Sequence, residues 1–193
     1  MPTKTSICNL AVSWVAGNRI TDVDLDNSKE AQICRDNYSD TLKAVLEERA
    51  WTFATKRYKW TPLAETPTWG YSKAFQIPSS VLVIKEVHQN STLANGANDI
   101  DWRREEDKIL CDLEEIYVKV IVNITDENKF SGQFVQAVAA RLAAIMAIPV
   151  AESRALQTDM WNLYDSFLGR AGSIDGMQGK NDRTRSNQFI RVR

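Results

Sequence analysis

Carboxylates supply the densest chemistry along this chain. Glu105-Glu106-Asp107 and Glu114-Glu115 lie in a stretch that reads as strands. Two opposed carboxylates at a suitable separation can cleave a glycosidic bond. Neighbours on a strand alternate faces, so this local spacing does not itself pair them. Asp22-Val23-Asp24-Leu25-Asp26 starts like a calcium loop. The match then breaks: Asn27 stands where glycine is needed and Ile33 where a bidentate glutamate is needed. The segment reads instead as an acidic link into the positive end of the next helix.

Other chemistries lack their parts. His88 is the single histidine, so a nucleophilic triad or a His-based metal site would have to use it alone. No GxSxG or HExxH accompanies it. It reads as a partly exposed residue at the end of a strand. The eight glycines are scattered and form no phosphate-cradling loop. Cys8, Cys34 and Cys111 are far apart in sequence, with no CxxC pair. They read as reduced, mostly buried thiols, not as a disulfide framework or zinc site. No catalytic residue, cofactor or metal is expected.

Six tryptophans are more than a core of this size needs. Trp51 and Trp161 fit apolar stripes and are expected in the core. Trp60, Trp69 and Trp102 lie in the middle of the chain. Large aromatics outside a core anchor interfaces, and the same rings can stack on sugars or bases.

The elements that must position these groups follow from periodicity. The order is helix, helix, strand-rich middle, helix, helix, basic tail. The first helix is expected from about Thr3 to Ala16, with Ile7, Leu10, Ala11, Trp14 and Val15 on one face. Gly17-Asn18 is expected to end it in a left-handed turn. The second runs from about Ser28 to Ala50, capped by Asn27 or Ser28, with Ala31, Cys34, Tyr38, Val45 and Leu46 inward. Glu47, Glu48 and Arg49 should face water.

Between about 56 and 125, Pro62, Pro67, Gly70 and Pro78 break helices. Strands are expected at Lys73–Ile77, Val81–Val87, Lys108–Asp112 and Glu115–Val122, forming one small sheet. Asn95-Gly96 marks a turn or loop. The third helix, about Ser131–Ile148, carries Phe134, Ala137, Val138, Arg141, Leu142, Ile145 and Met146 on one wide face, and Pro149 is expected to end it. The fourth, about Glu152–Ala171, buries Leu156, Met160, Leu163, Tyr164, Phe167 and Leu168, with Gly172 as its stop. From Ser173 the tail holds Lys180, Arg183, Arg185, Arg191 and Arg193 against Asp175 and Asp182, a net of +3. It is expected to stay disordered until a partner orders it.

The fold class is therefore α+β. A four-helix core of antiparallel type, two helices N-terminal and two C-terminal, takes an inserted small β-sheet domain and ends in an extended C-terminal tail. The expected boundaries are 1–55 with 129–172 for the helical part, 56–128 for the β-rich insert and 173–193 for the arm.

Composition limits the function classes. The chain has 193 residues, 44% hydrophobic, with Lys+Arg 24 against Asp+Glu 25. Tight duplex binding usually needs a basic excess, which is absent as a global property. The N-terminal stretch is too short and polar for a secretory signal, and no apolar run reaches the roughly 18 residues of a membrane span.

Four segments together resemble the head–tail adaptors of podophages, the tail tubular protein A family. They are the helix running into Trp51-Thr52-Phe53-Ala54, the segment Ala74–Val87 with its apolar strand preceded by Pro78-Ser79, Phe130-Ser131-Gly132-Gln133-Phe134 leading into Ala139–Ala144 and ending at Pro149, and the last helix with its polar tail. The resemblance spans roughly residues 5–172. It implies a virion structural protein, not an enzyme, assembled in the host cytoplasm and sited at the head–tail interface. It implies a dodecameric ring of this chain between the portal and the tail nozzle. Genomic DNA would pass through the channel without sequence-specific binding. The helical part would build the ring wall. The C-terminal arm, with Arg183, Arg185, Phe189, Ile190, Arg191 and Arg193, would dock on the portal. Trp60, Trp69 and Trp102 are candidate contacts for the nozzle, a tail fibre or a spike.

Two other classes remain open from the residues. One is a tail-associated glycan hydrolase using the carboxylates and tryptophans of the middle region. The other is a DNA-binding module acting through the Arg-rich tail, whose binding would fall with salt.

Overall fold

The computed structural model describes residues 1–89 and 100–177. The arm residues Arg183, Arg185, Phe189, Ile190, Arg191 and Arg193, and the Asn95-Gly96 turn, lie outside the described residues.

The chain is α+β, with four α-helices and two three-stranded antiparallel sheets among the described residues. Helix α1 (Lys4–Trp14) starts at a reciprocal cap between Thr3 and Ser6. It buries Ile7, Cys8, Ala11 and Val12, while Leu10 and Trp14 are only half-buried. The inward stripe is thus rotated toward Cys8 and Val12 from the expected one. Its end also differs from expectation. Ala16, not Gly17, takes the left-handed conformation at φ 55°, and the Gly17 amide donates to the Val12 carbonyl at 3.2 Å. Gly17 is needed for space instead: a Cβ there would lie 3.1 Å from both Val12 and Glu30 side-chain carbons.

Helix α2 (Lys29–Glu48) is capped by Ser28 and buries Ala31, Cys34, Tyr38, Leu42, Val45 and Leu46, close to the sequence reading. The chain then turns through Thr52–Ala54, and the Trp51 indole donates to the Val45 carbonyl at 2.8 Å. Trp51 is fully buried, as expected.

The middle forms two sheets where one was expected. Strands β1 (Thr55–Trp60), β3 (Val81–His88) and β6 (Ile116–Val122) pair in the order β1-β6-β3. Strands β2 (Lys73–Gln76), β4 (Arg103–Glu105) and β5 (Lys108–Cys111) pair in the order β2-β5-β4. The sequence reading missed β1 and β4. Both are edge strands carrying many charges, so pairing and not hydrophobicity makes them strands. Residues 78–80 carry the chain from one sheet to the other, so β2 and β3, expected as separate strands of one sheet, belong to two.

Helix α3 (Gly132–Ala151) is capped by Ser131, whose Oγ accepts from the Phe134 amide at 3.3 Å. It packs on α1, α2 and α4 (Arg154–Met177). Its alanines at 137, 139, 140, 143, 144 and 147 are all fully buried, which lets the neighbouring helices approach closely. By length and composition it would suit a membrane span, which the run-by-run reading did not single out. Its packing makes it the central helix of the fold.

Two helix ends correct the sequence reading. Pro149 lies inside α3 and does not end it. The helix runs two residues past it and closes at Glu152, left-handed at φ 52°. Gly172 does not stop α4, which continues to Met177. There the missing Cβ leaves room for the Arg49 guanidinium, whose Nη1 would lie 1.3 Å from an added Cβ. The expected tail therefore begins in helix, over residues 173–177. Trp161 also departs from expectation: it is 37% exposed and not in the core. The α4 stripe is half-buried apart from Tyr164.

One apolar core joins these parts. Trp51, Phe53, Phe130 and Phe134 meet with ring centroids 4.8–6.0 Å apart, and the core continues through Val118, Val120, Phe75 and Ile109 of the two sheets.

Candidate functional site

The β2-β5-β4 sheet has two unlike faces. Phe75, Ile109 and Cys111 turn into the common core. On the other face, Ala74, Leu110 and Arg103 are cross-strand partners, as are Gln76, Lys108 and Glu105. The segment 65–71 lies against this face. Its Pro67 and Gly70 turn the chain, with Gly70 at φ 89°. Between them is a cleft of about 370 Å³.

Ala74 and Leu110 form an apolar part of its lining. Glu65, Glu105 and Glu106 contribute carboxylates; Arg103 and Lys108 contribute cations. Lys108 Nζ lies 3.8 Å from Glu65. Tyr71 donates from its hydroxyl to Asp101 at 3.2 Å. Partial burial, and then Asp101, push that phenol above its ordinary range. Trp69 is 86% exposed in the cleft wall, so its indole is open to a ligand. Glu106 sits in the β4–β5 turn at φ 51°, a conformation that favours glycine or asparagine.

Of the three tryptophans singled out from sequence, only Trp69 lines this cleft. Trp60 is half-buried and stacks on Tyr58 at 6.4 Å; Trp102 is half-buried against the core. Sequence reasoning found Glu105 and Glu106 but missed Glu65, Tyr71, Arg103 and Lys108. The available signal was Pro67-Thr68-Trp69-Gly70, an indole held between two turn formers.

The second carboxylate pair singled out from the sequence is held by lysines. Glu114 pairs with Lys73 at 3.1 Å and Glu115 with Lys59 at 2.5 Å. Hydrogen bonds from Lys59 and Tyr117 hold the Glu115 carboxyl below its usual range. His88 sits at the end of β3, half-buried, 3.1 Å from Glu86, which also takes Lys119 at 2.9 Å. Burial opposes ionisation of Glu86, but the Lys119 and His88 hydrogen bonds outweigh it and keep the carboxyl low.

The Asp22–Asp26 loop is likewise tied internally. Asp22 accepts from the Asp24 amide at 2.9 Å, Asp24 pairs with Lys4 at 2.5 Å, and Asp26 accepts from the Ser28 amide at 2.8 Å. Arg35 donates to the carbonyls of Val23, Asp24 and Asp26. Among the described residues no three His, Cys, Asp or Glu side chains converge as a metal site.

All three cysteines are free and buried. Cys34 Sγ lies 3.6 Å from Met146 Sδ, and the Cys8 thiol, hydrogen-bonded to Cys34 and buried, is pushed well above its ordinary range.

A second polar cluster ties three helices. Arg141 of α3 pairs with Glu48 of α2, and Tyr164 of α4 donates to Glu48 at 2.6 Å. Glu48 thus has partners where the sequence reading left it facing water. Arg141 also lies over the rings of Trp161 and Tyr164, 5.5 and 5.4 Å from their centroids.

No known protein-family model matches the chain, and no curated protein matches it in sequence.

Proposed function

We propose that this protein is a structural virion component, the adaptor of a short-tailed phage between portal and tail nozzle. In this reading α1, α2, α3 and α4 form the four-helix wall of a dodecameric ring, and the strands form an inserted domain. The C-terminal arm beyond Met177 docks on the portal, and DNA slides through a channel that does not grip it.

One observation carries the reading. The segments on which the family resemblance rests, Trp51–Ala54 and Phe130–Phe134, lie far apart in sequence yet meet in one aromatic cluster. That cluster joins the N-terminal and C-terminal helices around the inserted strands. Such a clasp suits a ring brick, which must resist shear between its two ends. Neighbours in a ring touch through unlike faces. Trp161, Ile148 and Leu25 are exposed apolar side chains available for that purpose.

The test is sedimentation of this protein mixed with the portal ring from the same genome, full length and cut after Met177. A stoichiometric complex lost on truncation is expected. Failure of the full-length chain to bind an intact portal ring would overturn the reading.

The cleft favours a second reading, a tail-associated glycan hydrolase, because Glu65, Glu105 and Glu106 share it with an exposed indole. That reading requires glycan turnover by the purified protein and its loss in Glu105→Gln.

A further inference from the structure

The charge pattern of the cleft narrows what it can hold. An anion such as phosphate would meet Glu65, Glu105 and Glu106; a cationic side chain would meet Arg103 and Lys108. Each would meet like charge in the same small volume, which disfavours both. A neutral ligand that offers donors and acceptors together satisfies both sets. Hydroxyl groups do this: each donates once and accepts at two lone pairs. Carboxylates accept hydrogen bonds from the O–H groups, and guanidinium and ammonium N–H groups donate to the hydroxyl oxygens.

The apolar surfaces fit the same ligand. Trp69 presents a flat ring to the cleft while 86% exposed. A pyranose has one face made of C–H groups that covers such a ring, with hydroxyls projecting at its edge. Ala74 and Leu110 add an apolar floor. A cleft of about 370 Å³ lies in the range of small-ligand sites.

We propose that this cleft binds a neutral glycan, with one pyranose ring stacked on Trp69 and its hydroxyls held by Glu105 and Arg103. Binding requires no bond cleavage, and the proposal does not rest on the adaptor reading. A virion protein bearing such a site would touch host-surface saccharide; a protein of another kind would use it equally.

The experiment titrates the full-length protein with chitotriose, maltotriose and cellotriose. Saturation-transfer NMR reads the sugar C–H protons, and tryptophan fluorescence reads the indole. At least one sugar is expected to bind with a Kd in roughly the millimolar range or tighter. Trp69→Ala is expected to weaken that binding by about tenfold or more, and Arg103→Ala by severalfold, about the loss of one hydrogen-bonding group. Lys56→Ala, at an exposed side chain of β1 outside the cleft, should leave affinity unchanged. Trp69 is exposed, so circular dichroism of Trp69→Ala should match the parent. No transfer to any of the three sugars at about 10 mM would overturn the proposal. So would equal binding by Trp69→Ala. If no sugar binds but Trp69→Ala abolishes association with the tail nozzle, the cleft is a protein-docking surface and the glycan assignment falls.

Discussion

Single residues carry strain and satisfaction that the chain's local pattern conceals. Ala16 holds a left-handed φ of 55° where glycine would be at ease, and Gly17 beside it is kept small by Val12 and Glu30. The strain at a non-glycine residue there is about 1–2 kcal/mol, partly offset by the greater freedom glycine has when unfolded. Ala16→Gly should therefore stabilise the fold by about 0.5–1 kcal/mol. The urea midpoint should rise with no change in slope; a fall would show that Ala16 makes a contact worth more than its strain. The Gly17-Asn18 pair announced a helix end in sequence, but which residue turned left-handed depended on what Gly17 packs against.

At the level of elements, helices follow their caps and strands follow their partners. Ser28 and Ser131 each accept from the amide three residues on, and both were readable as starts. Ser131→Ala should cost about 1 kcal/mol, measured by denaturant unfolding, because α3 is the helix on which the other three pack. A loss of a few tenths only would mean that packing alone fixes the α3 start. Helix ends were harder to read. Pro149 and Gly172 are breakers in isolation, yet α3 runs past the first and α4 past the second. Pro149 falls in the last turn of α3, where only two helical residues follow it, and Arg49 fills the space that Gly172 leaves. Strand β4 has the sequence Arg-Arg-Glu and no pattern to announce it; only its bonds to β5 make it a strand.

For the whole molecule, acid is the informative perturbation. Backbone hydrogen bonds hold Glu30 and Asp26 below their ordinary values: Asn18 donates to Glu30, and Ser28 donates to Asp26. Asp107 is lowered by Gln76, Asp126 by the Asn128 amide and Glu115 by Lys59. A carboxyl that is more acidic folded than unfolded contributes stability above its unfolded pKa, about 4. That contribution is lost as pH falls through the lower folded value. Unfolding free energy should thus stay level for these groups from pH 7 to about 5 and decline below about 4.5. Glu30→Gln should start less stable at pH 7 and decline less steeply. An unchanged acid limb in that variant would remove Glu30 from the account. The Glu30 carboxyl holds the Asn18 amide at 3.0 Å just after α1, so its protonation loosens the link from α1 to α2.

The sequence by itself determined the α+β class, the four helices with their starts, four of the six described strands and the buried thiols. Each rests on periodicity, capping or composition, which act over a few residues. Tertiary structure alone decided the division into two sheets, the extent of α3 and α4 and the partners of Glu48. It also decided that Trp161 is exposed while Trp69 walls a cleft with Glu65, Tyr71, Arg103 and Lys108. Those outcomes depend on which distant residues meet, as when Glu65 of one loop reaches Lys108 of β5. Local pattern holds no record of such meetings, because their free energy belongs to the pair and not to either stretch of chain.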